Sequence, residues 1–265
     1  MEKVVLLNKI PSDIKDLSPD FQRIYFGSEF CDFLVPSMAE IRKLKQVERK
    51  QRVPFSIVTP YINERRLKHW LVLLSALDAD YPGTEVIVND WGIVFAIKNQ
   101  FPRLSMVLGR VLSKQKRGFF TLDRYESPEK VVLRREKEKD YAHSSILQNR
   151  YLCDFLSKLT IDRMGLDNIA APLQYFSSSR FMIDLYYPYI YLTTSNYCLL
   201  YVDEKRCGRY TKPEHCKAYC NQEWAVREIR AGEECIYLKG NTQFRFNDVV
   251  TKKFRKNDRL VYCSL

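Results

Sequence analysis

The chain has 265 residues, of which 46% are hydrophobic and 13% aromatic, enough for one large core of the size that a single α/β barrel of about 250 residues uses. Nine Gly, eleven Pro and no biased repeat or long polar tract exclude a collagenous, mucin-like or disordered protein. The net charge of +11 favours polyanionic partners, but it is regional: residues 110–160 carry 12 Lys/Arg against 7 Asp/Glu, and residues 203–265 carry 14 against 9. Within those regions the signs alternate, as in Arg134-Arg135-Glu136-Lys137-Glu138-Lys139-Asp140. That pattern fits a solvated helical face with i,i+4 pairs or, as the alternative, a surface that binds RNA.

Residues 1–13 have Glu2 where a secretory signal carries basic residues, and an apolar run of only four residues, 4–7. A cytoplasmic location is therefore expected. The longest nearly apolar stretch, 70–77, is far below the roughly 18 residues needed to cross a bilayer, so no membrane span is expected.

Short β-rich runs are predicted at 4–10, 23–27 (RIYFG), 55–62 (FSIVTPYI), 85–90 (EVIVND) and 104–111 (LSMVLGRV). Helices are predicted between them at 38–50, 64–77 and 91–100, the middle one with Leu67, Trp70, Leu71, Leu74 and Leu77 on one stripe. This is the βαβα order of a parallel sheet. Residues 113–140 form a basic insertion, 141–159 read as a longer amphipathic helix, and strands follow at 161–169 and 181–192. A polar, cysteine-bearing segment at 198–235 precedes a last strand at 259–263 (RLVYC). Eight or so strands with helices between most of them predict a single TIM-like (β/α) barrel domain over 1–265, incomplete if an edge stays open. A doubly wound sheet competes, but the Gly-rich phosphate loop it carries after its first strand is missing here.

Eight cysteines are many for the reducing compartment expected, and Cys198, Cys207, Cys216 and Cys220 fall within 23 residues. Disulfides are not expected there, which leaves metal, redox chemistry or chance. Cys216 and Cys220, in C-x3-C, can direct two thiolates at one centre. Four thiolates suit tetrahedral zinc or an iron–sulfur cluster. The short C-x2-C knuckles usual for zinc are absent, and the wider spacings suit a cluster held by separated loops. Cys153, Cys263 and Cys235 read as buried small hydrophobes.

Strand-end polar residues, Glu29, Asn63, Asn89, Asp90, Arg110, Asp167 and Asn168, are the natural places for substrate contacts. Asn89-Asp90 also fits a helix N-cap before Trp91. Arg110, in an apolar run, needs an anionic neighbour if buried, with Asp90 the expected candidate. His69, His143 and His215 are scattered, and no H-E-x-x-H or G-x-S-x-G motif supports hydrolysis.

The ordered pieces IYFGSEFC (24–31), VNDWG (88–92), LGRVL (108–112), IDR (161–163), LDN (166–168), the cysteine stretch, LKGN (238–241) and NDRLVY (257–262) resemble the collagenase-like peptidase family. The resemblance runs over most of the chain and is strongest to the short, single-domain iron–sulfur members that act in ubiquinone biosynthesis. It implies a barrel with a 4Fe-4S cluster on Cys31, Cys198, Cys216 and Cys220. The gap between Cys198 and Cys216 is longer than in those relatives and contains Cys207, which competes with Cys198 for that place. The resemblance also implies oxygen-independent hydroxylation, or a related redox modification, of an aromatic ring or a nucleobase. A second family member as heterodimer partner is implied too. Peptidase activity is the alternative that the family name suggests, and a four-cysteine metal protein that binds RNA is another. In a barrel, loops at the C-terminal strand ends share one mouth, so Cys31 is expected to face cysteines 167 residues later. A chain ending just after the last strand is expected to leave an edge for a partner to cover.

Overall fold

A computed structural model of the chain describes residues 1–11, 20–115, 145–169, 180–195, 198, 216, 218–221, 225–231, 234–250 and 254–265. Cys207, His143, His215 and most of the basic insertion lie outside them.

Five parallel strands, β1 (Glu2–Leu7), β2 (Arg23–Gly27), β3 (Phe55–Val58), β4 (Glu85–Val88) and β5 (Ser105–Leu108), follow each other in chain order and in space. The helices α1 (Met38–Gln51), α2 (Glu64–Asp80) and α3 (Trp91–Gln100) cross between them. After α4 (Arg150–Lys158) come β6 (Arg163–Asp167) and β7 (Met182–Thr194). A hairpin sheet of β8 (Val226–Ala231), β9 (Glu234–Lys239) and β10 (Thr242–Phe246) precedes β11 (Arg259–Cys263).

The last strand closes the barrel. β11 pairs in parallel with β1, from Glu2 opposite Arg259 to Leu6 opposite Cys263, and in parallel with β7, from Arg259 opposite Asp184 to Cys263 opposite Pro188. Its alternation explains the fit: Arg259, Val261 and Cys263 point into the barrel while Leu260 and Tyr262 pack outside. The expected TIM-like barrel is thus present and complete, and no barrel edge is left open at the last strand, because β11 pairs on both sides.

The barrel interior is filled by Val4, Tyr25, Val58, Ile87, Val107, Tyr186, Val261 and Cys263. A larger core lies between strands and helices, with Trp70, Leu73, Leu74 and Leu77 of α2 fully or nearly buried. Leu67 and Leu71, on the expected stripe, sit at its margin, and Leu73 takes an inward place instead. α1 starts with a capping box in which the Ser37 backbone N–H donates to Glu40 at 2.8 Å. α4 starts at Arg150, later than the predicted 141, because Asn149 caps the backbone N–H of Leu152 and interrupts the run.

At the N-terminal end of the barrel the interior is polar and charge-balanced. Arg259 donates to Glu2 at 2.6 Å, to Glu85 at 2.7 Å and to the Tyr25 hydroxyl at 2.7 Å. Arg163 pairs with Asp184 at 2.7 Å and Arg23 with Glu2 at 2.9 Å. Burial would raise the Glu85 pKa, but Arg259 and Arg23 overcome it and hold the carboxyl below its ordinary range.

β7 belongs to two sheets. Its first half runs parallel with β6 and β11, whereas Tyr189–Thr194 pairs antiparallel with β10. This carries β10, β9 and β8 over the C-terminal end of the barrel, a sheet that lies partly within the segment read as a polar, cysteine-bearing stretch.

Gly109, just past β5, is set by close approach. A Cβ there would lie 2.1 Å from Oδ1 of Asn89, a buried side chain that donates to the Thr59 carbonyl at 2.8 Å and accepts from the Val111 N–H at 3.1 Å. Gly109→Ala is expected to cost about 1–3 kcal/mol through overpacking. Thermal unfolding should show this as a melting temperature lower by several degrees. An unchanged melting temperature would mean that Asn89 does not brace this corner.

Candidate functional site

The C-terminal strand ends surround a cavity of about 1030 Å³. Asn8 after β1, the loop after β2 with Cys31, Asn63 after β3, Arg110 after β5, Tyr189 of β7 and Cys263 of β11 all line it. The hairpin of β9 and β10 covers one side with Lys239, Gly240, Asn241, Thr242 and Phe244. Its turn needs Gly240 in the left-handed region, at φ +61.

Cys31, Cys198, Cys216 and Cys220 all line this cavity. Two side-chain bridges hold the separated parts of the chain in place. Asn241 Nδ2 donates to the carbonyls of Phe30 at 2.6 Å and Ser195 at 2.7 Å, which ties the hairpin to the Cys31 loop and to the end of β7. Asn8 Nδ2 donates to Asn221 Oδ1 at 2.9 Å, which ties β1 to the residue after Cys220. The Ala218 N–H points at Cys216 Sγ, 3.3 Å away, with Ala218 itself at φ 54. Such a donor is the kind of hydrogen bond that a metal-bound sulfur accepts.

The thiols feel one another. Burial pushes the Cys31 pKa up to about 12, with Cys220 and Cys216 adding to the rise and a backbone hydrogen bond from Phe33 opposing it. Cys220 is raised by burial, then by Cys216 and Cys198. Thiolates gathered in this cavity therefore require positive charge. Lys239, whose pKa burial lowers despite the opposing pull of Cys220, stands beside them. Among the described residues no three His, Cys, Asp or Glu side chains form a group that would hold a single metal ion.

Cys263 also lines the cavity, but its S–H donates to the Tyr187 carbonyl at 3.2 Å and burial pushes its pKa up to about 11. Cys153 sits on α4 and Cys235 on β9, and neither lines the cavity.

Arg110 forms the floor. Its Nε and Nη2 donate to Glu29 Oε2 at 2.9 and 2.6 Å, and its Nη1 donates to Asp167 Oδ1 at 2.8 Å and to the Tyr189 carbonyl at 3.0 Å. The guanidinium also lies 4.4 Å from the Tyr186 ring centre. All three charged residues are at most 2% exposed. Burial alone would favour loss of the Arg110 proton, and Glu29 and Asp167 more than reverse this, leaving its pKa raised. The expected neighbour Asp90 is elsewhere: it caps α3 by accepting from the Ile93 N–H at 3.2 Å.

Of the seven strand-end residues expected to touch substrate, Glu29, Asn63 and Arg110 line the cavity, and Asn89, Asp90, Asp167 and Asn168 are not among the lining residues. Asn89 braces Gly109, and Asn168 donates to the carbonyls of Asn247 at 3.2 Å and Val249 at 3.1 Å. Lys239 and Asn241 were missed as site residues. The available signal was the apolar run CIYL and the alternating TQFRF on either side of Gly240-Asn241, a two-residue hairpin turn.

No family model, curated protein or solved structure matches the chain.

Removing the cation from the floor leaves Glu29 and Asp167 buried against each other. Arg110→Met is expected to destabilise the fold by about 3–5 kcal/mol, the range for an uncompensated buried charge. The triple change Arg110→Met, Glu29→Gln, Asp167→Asn should recover part of that loss in urea unfolding. A single variant as stable as the parent would contradict the assignment of Arg110 as the charge that holds the floor together.

Proposed function

We propose that the chain binds a 4Fe-4S cluster through Cys31, Cys198, Cys216 and Cys220. We further propose that it acts with a partner subunit in oxygen-independent hydroxylation, or a related redox modification, of an aromatic ring or nucleobase. This is the activity of the UbiV-like members it resembles. One observation carries the reading: four cysteines separated by up to 189 positions line a single cavity at the C-terminal mouth of the barrel. That is where barrel enzymes assemble their sites from separate loops.

The donor set fits the group. Four thiol side chains, an N–H directed at Cys216 Sγ and a lysine beside Cys220 supply the ligands, one hydrogen bond to sulfur and part of the compensating charge. When bound, the cluster supplies one-electron transfer, because four thiolates leave no iron open to substrate. Lys239 offsets the charge of the thiolates. Phe30, packed against Tyr191 and Phe244 at 5.0 and 5.6 Å between ring centres, gives the Cys31 side of the cavity an aromatic wall. Asn241 fixes the backbone next to Cys31. Zinc is the other guest for four thiolates, but the absence of C-x2-C knuckles and the wide sequence spacing of the cysteines favour a polynuclear centre.

Protein purified without oxygen is expected to be brown, to contain near-stoichiometric iron and acid-labile sulfide, and to bleach in air. Serine at Cys31, Cys198, Cys216 or Cys220 should lose or strongly perturb the visible absorption, whereas Cys153→Ser and Cys263→Ser should keep it. Colourless protein with one zinc per chain would overturn the reading. Loss of the cluster in Cys207→Ser together with its retention in Cys198→Ser would replace Cys198 in the ligand set.

A further inference from the structure

The hairpin sheet that covers one side of the cavity ends on an edge strand. Among the described residues β8 lies outermost and pairs only with β9, from Val226 opposite Lys239 to Ala231 opposite Glu234. Its outer flank presents the row of N–H and C=O groups that an edge strand offers to a further strand. Arg227, Glu228, Ile229 and Arg230 are all exposed, and because successive residues point to opposite faces, both faces of the strand are open here. Ile229, 46% exposed, sits directly opposite Ile236 of β9.

The order of charges decides what that edge accepts. Glu228 and Arg230 lie on one face of the strand, 3.5 Å apart as an exposed ion pair. When two identical strands pair antiparallel about a two-fold axis, the residue on the axis lies opposite itself. With the axis at Ile229, Glu228 of each copy lies opposite Arg230 of the other, and Arg227 lies opposite Ala231. The two Ile229 side chains then extend their contacts with Ile236 into one apolar row across the axis. Neighbouring registers fit less well. An axis at Glu228 sets Glu against Glu, and one at Arg230 sets Arg against Arg. An axis between Glu228 and Ile229 sets Arg227 against Arg230, and one between Ile229 and Arg230 loses both opposite-charge pairs.

We propose that β8 is the contact between two copies of this chain, which pair antiparallel through it about a two-fold axis at Ile229 and join their hairpin sheets into one. Because β9 and β10 carry Lys239, Asn241 and Thr242 of the cavity lining, the joined sheet links the two cavity mouths. So short a strand buries little beside the roughly 800 Å² per partner of a standard interface, and the dimer is therefore weak and concentration-dependent. This pairing goes beyond the cluster reading and does not rest on it.

The test is sedimentation-velocity ultracentrifugation of the anaerobically purified full chain, from micromolar to near-millimolar concentration. A monomer–dimer equilibrium is expected. Glu228→Arg and Arg230→Glu should each weaken dimerisation about ten-fold or more, because the two-fold axis repeats every like-charge contact. The double swap Glu228→Arg/Arg230→Glu should restore it, with circular dichroism confirming that all three variants fold. A chain that stays monomeric at every concentration overturns the proposal. So does a dimer that both single reversals leave unchanged, or one that the double swap does not restore, since it pairs elsewhere or in another register. Iron assayed on the same samples separates the two ideas. Iron-loaded protein that stays monomeric removes this inference and leaves the cluster. Iron-free protein whose dimer follows the charge swap removes the cluster and leaves this contact.

Discussion

Everything at the mouth of this barrel depends on the seating of its last strand between the first and the seventh. Arg259 sits opposite Glu2 on one side and Asp184 on the other, and the same register carries Cys263 to the C-terminal end. Closure makes the two ends of the chain neighbours. The Cys31 loop, near the start, and Cys216 and Cys220, late in the chain, line one cavity as a result. The register is specified twice, by the in–out alternation of Arg259 to Cys263 and by the ion pairs of Arg259 with Glu2 and Glu85, so a slip of one residue would bury Leu260 and Tyr262 where a cation is required.

The two ends of the barrel hold charge differently. At the N-terminal end, Arg23, Arg163 and Arg259 answer Glu2, Glu85 and Asp184 in a balanced network beneath the apolar filling. At the C-terminal end, Arg110 is shared by Glu29 and Asp167, which themselves come from the ends of different strands. That arrangement fixes the floor of the cavity while leaving its walls to loops and to the hairpin sheet. It is the division of labour common to barrel proteins, rigid strands below and variable connections above.

Much of this was legible in the sequence. The eight barrel strands and the helices α1 to α3 followed from alternation and amphipathic stripes, because buried parallel strands and covering helices leave strong apolar periods. Closure itself was not legible, since whether RLVYC pairs on one side or two depends on contacts with residues 1–7 and 182–188 that no local pattern encodes. The hairpin sheet was missed because β8, with Arg227, Glu228 and Arg230, and β10, with Gln243 and Arg245, read as polar. Arg110 was rightly expected to need an acid. Asp90, the near neighbour in sequence, was the wrong one, because the barrel brings Glu29 and Asp167 closer in space. Asn89 and Asn168 looked like substrate contacts at strand ends and instead bond to backbone, a use of asparagine that leaves no sequence signature distinct from function.

The central claim is that four cysteines from distant parts of the chain hold one cluster in this cavity. The most direct measurement is the Mössbauer spectrum of protein enriched in iron-57 and purified without oxygen. Four thiolate-bound irons should give the quadrupole doublets of delocalised mixed-valence pairs in a diamagnetic ground state, with no iron distinguished by a non-cysteine ligand. The spectrum of an isolated iron, of a two-iron centre, or the absence of iron from correctly folded protein would contradict it.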